Sequence, residues 1–255
     1  MRLHVDGPLQ AETAYTLPPG PTRHAQVRRV QPGDELTLFD GQGCDWPARV
    51  LKVGRSAVDV WLGAPQVIDR ELPQPVSLAL GMPANERMDS LVEKATELGV
   101  ARLQPLLCER AVLRLEGERA ERRRAHWQAV AVAACEQSGR ARVPPVQPVQ
   151  ALAAWLAALP PLAPTPAPAP AGAARLVLSL RADALPLAQL PAPAQAGPVL
   201  ALSGPEGGLS PAEEDAARAA GFTPVSLGPR TLRADTAPLA LLAWFALGRN
   251  GPQAG

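Results

Sequence analysis

The sequence predicts an α/β protein whose C-terminal part carries a mostly parallel sheet, preceded by a small β-barrel. Three observations carry that prediction. From about residue 76 onward, short apolar runs alternate with segments of helical period, the order that builds parallel strands joined by right-handed crossovers. Before residue 72 no helical period persists, and short alternating runs sit between turn residues. Late in the chain, two glycine-containing loops each follow an apolar run and precede a helix. They are Gly204-Pro205-Glu206-Gly207-Gly208 and the stretch from Leu227-Gly228 to Ala237. Loops at the carboxyl ends of strands are where an open α/β sheet binds its ligand.

Composition narrows the class. The 255 residues are 47% hydrophobic, enough for one large or two medium domains. A net charge of +1 gives no whole-molecule argument for nucleic acid. Lys52 and Lys94 are the only lysines, so nearly every cation is an arginine; a GC-rich coding bias accounts for that as well as phosphate recognition does. The three cysteines, Cys44, Cys108 and Cys135, have no paired spacing. That predicts a reducing compartment, the cytoplasm, and no zinc site. Cys135 reads as a small buried residue. No signal-type apolar region opens the chain, and the longest apolar run, near 237–247, is too short for a membrane span.

Residues 1–72 read as the barrel. Asp34 to Phe39 alternates and runs into Asp40-Gly41, a hairpin signal; 46–53 and 57–62 supply further strands. Eight basic residues here face nine acids, so an RNA-binding face requires local clustering. The best cluster is Arg23-His24-Ala25-Gln26-Val27-Arg28-Arg29, which otherwise reads as a solvated charged turn. Residues 63–75 hold three prolines and read as a linker.

The second part, 73–255, starts with a strand over 76–80. Met88, Leu91, Val92 and Ala95 at i, i+3, i+4 and i+7 then predict a helix over 87–98 that stops at Gly99. A strand over 102–107 follows, then a long helix over 117–139 and a short one over 151–159. Residues 160–174, rich in Pro and Ala, read as a mobile loop inserted in the domain. A strand over 175–180 precedes another Pro-rich connection, 182–197. Ser210, Pro211 and Glu213 form an N-cap, a first-turn proline and a capping box, so a helix starts at Pro211 and ends at Gly221. A strand over 222–227 and a last helix from about Asp235 complete the chain, with Asp235 as its N-cap. Neither loop carries the Gly-Lys-Ser/Thr of a phosphate-binding loop or a Gly-x-Gly-x-x-Gly.

Four segments together resemble one family. Gly204-Pro205-Glu206-Gly207-Gly208 with Leu227-Gly228-x-Arg230-x-Leu232-Arg233-x-x-Thr236-Ala237 is similar to the knot loops of the SPOUT (α/β-knot) RNA methyltransferases. Within them the pattern resembles the 16S ribosomal RNA uridine N3-methyltransferases, also called ribosomal RNA small subunit methyltransferase E. Residues 24–43 resemble that family's PUA-like RNA-binding module. Arg87-Met88-Asp89 with Lys94-Ala95-Thr96-Glu97-Leu98-Gly99, and Glu136-Gln137-Ser138-Gly139-Arg140 with Pro144-Pro145, resemble two further signatures. Arg28 stands where the family more often has Leu, and Asp235 where it usually has Glu.

The resemblance implies a deep trefoil knot in the C-terminal domain and S-adenosyl-L-methionine as cofactor. It implies methylation of N3 of one uridine in the RNA of the small ribosomal subunit, by a homodimer whose last helix lies at the interface. The implied cofactor residues are Leu178, Ser203, Gly204, Glu206, Gly207, Leu227, Gly228, Leu232 and Arg233. The implied RNA contacts are Arg23, Arg29, Lys94 and Arg140. Arg233 would stabilise the uridine anion, or else only brace its loop against Glu206; Glu136, Glu206 or water would take the proton. Methylation of another RNA, or a non-catalytic RNA-binding assembly factor on the same fold, are the alternatives.

Overall fold

The structure, a computed structural model, describes residues 1–84, 86–161, 174–190 and 197–247. Most of the Pro/Ala run expected as a mobile loop lies outside the described residues. The chain divides into two compact units: Met1–Glu71 with Val132–Val143, and Leu72–Ala131 with Pro144–Gly255.

The first unit is a six-stranded sheet with one helix of its own and the C-terminal end of a longer one. Strands β1 (Arg2–His4), β2 (Thr13–Thr16), β3 (Glu35–Phe39), β4 (Cys44–Val53) and β5 (Val58–Leu62) run in the order β1-β3-β4-β5-β2, and β6 (Gln66–Val67) pairs with β4. The expected β3–β4 hairpin forms, Phe39 opposite Asp45. Alternation sends Leu36, Leu38, Trp46, Ala48, Val50, Val58, Val60 and Leu62 into one core. Two expectations fail here. The Arg23 cluster is a helix, α1 (Pro19–Val27), not a turn. Pro at its first position suits a helix start, and Thr22 and Ala25 are its only buried residues, so no apolar stripe announces it. The supposed linker contributes β6.

The second unit has a seven-stranded sheet, every neighbouring pair parallel. Its order is β11 (Leu185–Pro186), β13 (Thr223–Ser226), β10 (Ala174–Leu178), β12 (Val199–Ser203), β7 (Val76–Gly81), β8 (Arg102–Leu107), β9 (Gln150–Ala151). A parallel sheet is covered on both faces, so its central strands are continuous apolar runs; in β7, Val76, Leu78, Ala79, Leu80 and Gly81 are all buried. Helices α2 (Arg87–Glu97) and α6 (Thr236–Leu247) pack together, with α6 against β7 and β12. Helix α4 (Leu152–Ala157) packs on α5 (Pro211–Ala219), around a core that includes Trp155, Val177, Leu202 and Phe222. The long helix α3 (Gly117–Ser138) belongs to this unit up to Ala131. Its Trp127, 1% exposed, donates through Nε1 to Asp89 Oδ1 of α2 at 3.0 Å. The Pro-rich connection after β10 contains β11, which extends the sheet beyond β13.

The capping box that starts α5 forms as expected. Ser210 Oγ accepts from Glu213 N at 3.2 Å, and Ser210 N donates to Glu213 Oε2 at 2.8 Å. Helix α6 starts differently from the expectation. Thr236 N and Ala237 N both donate to the carbonyl of Arg233, and Asp235 does not cap the helix through its side chain: its Oδ1 is buried with no hydrogen-bond partner among the described residues.

Candidate functional site

Strands β13, β10 and β12 are neighbours and parallel, so their carboxyl ends open on one side of the sheet. The loops that leave them, after Leu178, Ser203 and Ser226, surround a cavity of about 540 Å³, the size of a small-molecule site. All nine residues expected at a cofactor line it: Leu178, Ser203, Gly204, Glu206, Gly207, Leu227, Gly228, Leu232 and Arg233. Glycine is required at two of these places. A Cβ on Gly204 would lie 2.8 Å from Leu209 N, and Gly228 holds φ +108°.

The charges around the cavity are unevenly engaged. Glu206 Oε1 accepts from Ala84 N at 2.9 Å and from Arg87 Nη1 at 3.2 Å. Glu206 therefore clamps the loop after β12 to the loop after β7. Among the described residues no hydrogen bond or ion pair joins Glu206 to Arg233. Arg110 donates to the carbonyls of Gly207 and Leu209 at 3.2 and 3.4 Å. Arg230 and Arg233 are exposed, and neither guanidinium is in an ion pair among the described residues. The cavity thus combines backbone donors and acceptors, leucines, and three cations in no ion pair among the described residues: Arg110, held by carbonyls, and Arg230 and Arg233.

Two expected site residues lie elsewhere. Glu136 belongs to the first unit, where Oε1 accepts from His4 N at 3.0 Å and Oε2 lies 3.6 Å from His24 Nδ1. It does not line the cavity. Arg140 is 3% exposed and is bound to both carboxylate oxygens of Glu71, with Nε 3.1 Å from Oε1. A phosphate cannot reach a guanidinium held that way. The Glu136–Arg140 signature instead fastens Val132–Val143 to the barrel, helped by Arg2 to the Arg140 carbonyl (3.1 Å) and Arg70 to the Gly139 carbonyl (2.8 Å). Lys94 is exposed but donates to Glu93 at 2.7 Å and Glu97 at 2.9 Å. Those bonds, Glu93 first, push its pKa up. Two acids around one lysine leave that spot negative and unsuited to RNA.

The first unit keeps a different basic cluster. Arg23, Arg28 and Arg29 are exposed on α1 and just after it, Arg29 with φ +56°. Gln26 Nε2 donates to the carbonyls of Gly54 and Arg55, at 2.9 and 3.1 Å, bringing the β4–β5 turn to this helix. None of Arg23, Arg28, Arg29, Lys52 and Arg55 is in an ion pair among the described residues. Sequence reasoning left Arg87, Arg110, Glu214 and Arg230 out of the cavity, and left open which of residues 178–181 lines it; Leu178, Ser179 and Leu180 do. Arg87 stood inside a quoted signature; Glu214 stood in an acidic run that looks like any solvated helix face.

The family model described as an RNA methyltransferase domain matches residues 70–246, and one described as an RNA methyltransferase PUA domain matches 22–60. Ribosomal RNA small subunit methyltransferase E of Synechocystis sp. is 34% identical over 238 residues, 91% of this chain and 72% of that protein. The chain belongs to this family. Another member, from Mycobacterium bovis, is 33% identical over 89% of this chain and 81% of its own length. Among solved structures, the member from Neisseria gonorrhoeae bound to S-adenosyl methionine superposes with a TM-score of 0.84 and 34% identity, covering 95% of this chain and 94% of that one. A methyltransferase from Legionella pneumophila, solved with its cofactor SAM, gives 0.86 and 29%, with 96% of each chain covered. Family membership makes this chain an RNA methyltransferase, and its cavity the candidate active site.

Proposed function

We propose that this chain methylates N3 of one uridine in the 16S RNA of the small ribosomal subunit, in the cytoplasm, with S-adenosyl-L-methionine as donor. One observation supports it above the others: Arg233, in no ion pair among the described residues, stands in the cavity wall beside Leu232 and the peptide groups of the two glycine-containing loops.

The donor set fits the cofactor. Adenine needs backbone hydrogen bonds and apolar walls, which Leu227, Gly228 and Leu232 provide; the Ser203–Gly207 loop offers further peptide groups. The absence of a lysine or a phosphate-binding glycine loop suits a molecule that carries no phosphate. When bound, the cofactor supplies an electrophilic methyl group on a sulfonium.

Uridine N3 is protonated at neutral pH and is a nucleophile only as its anion. A guanidinium beside the base favours the anion. At about 4–5 Å and an effective dielectric near 20, one charge is worth roughly 3–4 kcal/mol, about 2–3 pKa units. Arg233 is always protonated and cannot accept the proton. Glu136 is outside the cavity, and both bonds to Glu206 fall on Oε1, so the proton goes to water or to Glu206 Oε2. Glu206 and Arg87 act as positioning residues.

The cations at 23, 28, 29, 52 and 55 form the RNA-backbone contact of the first unit. A homodimer is supported by α6, which is apolar on every side although Leu239, Ala240, Ala243 and Trp244 stay partly exposed and Leu247 is 67% exposed. The trefoil knot of the family belongs to this reading as well.

The test is methyl transfer from labelled S-adenosylmethionine to small ribosomal subunits lacking the modification, with the product nucleoside identified by mass spectrometry. N3-methyluridine at a single 16S position is expected. A different methylated nucleoside, or transfer only to another RNA, would overturn the assignment.

A further inference from the structure

We propose that Glu214, oriented by Ser179, is the ribose-recognising residue of this cavity, accepting hydrogen bonds from the cofactor's vicinal hydroxyls. This rests on the methyltransferase reading above and extends it to a residue that the motif loops do not contain. Glu214 lies in α5, and Ser179 follows the last residue of β10; both line the cavity, beside Leu178, Ser203 and Gly204.

The pair is held firmly. Ser179 Oγ donates to Glu214 Oε1 at 2.6 Å and accepts from Arg181 N at 3.1 Å. The Glu214 side chain is 12% exposed, with Arg181 Nε at 4.0 Å and Arg218 Nη2 at 3.8 Å from the same Oε1. Those arginines are themselves anchored, Arg181 to Asp215 at 3.0 Å and Arg218 to both oxygens of Asp183 at 2.9 Å. One carboxylate oxygen is therefore fixed. Oε2 makes no hydrogen bond among the described residues; every partner of this carboxylate lies on Oε1. An ionised carboxylate accepts hydrogen bonds and donates none, so its free oxygen selects a donor.

The cofactor offers three kinds of donor: the adenine amine, the ribose diol and the α-ammonium. The peptide groups around Leu227–Leu232 already provide acceptors suited to the adenine amine. Two guanidiniums within 4 Å on the Oε1 side oppose the approach of an ammonium. A neutral diol meets neither objection, and its adjacent hydroxyls match a carboxylate, the solution dinucleotide-binding folds use for ribose.

The experiment is calorimetric binding to the full chain, unaltered and as Glu214→Gln and Ser179→Ala. The probes are S-adenosylhomocysteine, 5′-methylthioadenosine, which lacks the amino acid, and the 2′,3′-dideoxy form of S-adenosylhomocysteine. Glu214→Gln should weaken the first two by about tenfold each and leave the dideoxy compound's affinity unchanged. Ser179→Ala should weaken the first two by a smaller factor, about threefold. Should Glu214→Gln fail to fold, Glu214→Asp gives the same comparison with a shortened reach. Loss for S-adenosylhomocysteine but not for methylthioadenosine would assign Glu214 to the ammonium and overturn the proposal. Unchanged affinities with a lowered melting temperature would reduce the pair to a brace between β10 and α5, and also overturn it. Failure of the unaltered chain to bind S-adenosylhomocysteine would strike the methyltransferase reading first and this one with it.

Discussion

Replacing Glu206 by glutamine separates two roles for this residue, clamp and proton acceptor. In the clamp, Oε1 accepts from Ala84 N–H at 2.9 Å and from Arg87 Nη1 at 3.2 Å. Glutamine keeps an oxygen there and loses the charge. The ion pair is partly solvated, with side chains 45% and 26% exposed, so it is worth about 0.5 kcal/mol. Turning the charge-assisted bond to Ala84 N–H into a neutral one costs about 1 kcal/mol more. The sum, about 1.5 kcal/mol, is close to tenfold in an equilibrium constant. Cofactor affinity measured by calorimetry should therefore fall by about tenfold or less. Turnover at saturating cofactor, followed as methyl transfer to small subunits, should fall by less than about fivefold. A general base lost would cost about 10²–10⁴ in rate. A hundredfold fall in saturated turnover with cofactor affinity intact would refute the clamp and restore Glu206 as the proton acceptor.

Other perturbations follow from the same geometry. Arg233→Ala should lower saturated turnover by about 10²–10³ while cofactor affinity changes by less than about threefold; equal losses in both would make Arg233 part of the cofactor pocket only. Arg140→Met should cost about 2–4 kcal/mol in urea unfolding, because Glu71 loses its buried partner, and should leave RNA affinity unchanged. Arg29→Ala and Arg55→Ala should each weaken RNA binding without regard to sequence. Each should also flatten the dependence of log K on log salt by about 0.7–0.9, measured by filter binding from low to physiological salt. Burial pushes the Cys108 thiol from 9.0 up to about 12, and burial first raises Cys135 to about 11. Above pH 9 the unfolded chain loses these protons while the native state keeps them, so stability is full below pH 9 and falls as pH rises toward those values, by about 1.4 kcal/mol per pH unit for each thiol. Denaturant midpoints across that range check the slope, and Cys108→Ala should make it shallower.

Much of the second unit was legible because its physics is local. A strand buried on both faces is an apolar run, as in β7, and a helix covering such a sheet shows the spacing of Met88, Leu91, Val92 and Ala95. The capping box at Ser210 and the close approach at Gly204 are also written in neighbouring residues. What stayed hidden depends on partners distant in sequence. Arg140 looks like any arginine until Glu71 lies against it. Glu136 looks like an acid misplaced at a helix end until His4 N–H claims it. Helix α1 buries only Thr22 and Ala25, too little to imprint a period, so its arginines read as a turn. The role of Glu206 is fixed by Ala84 and Arg87, 122 and 119 residues away in sequence, and no spacing rule reports that distance.

The return of Val132–Val143 to the first unit sets an order of events during synthesis. The strands of this sheet end by Val67, yet the Glu136 carboxylate that accepts from His4 N–H and the Arg140 guanidinium that donates to Glu71 are made much later. From Glu71 to Val143 the ribosome adds another 72 residues (143 − 71), on the order of 4–14 s at ~5–20 residues per second. Through that interval β1, a three-residue strand at the edge of the sheet, is held on its β3 side alone. Translation must therefore run well into the second unit before the first can close. A chain cut after these strands would carry the exposed arginines of α1 on a scaffold missing its latch.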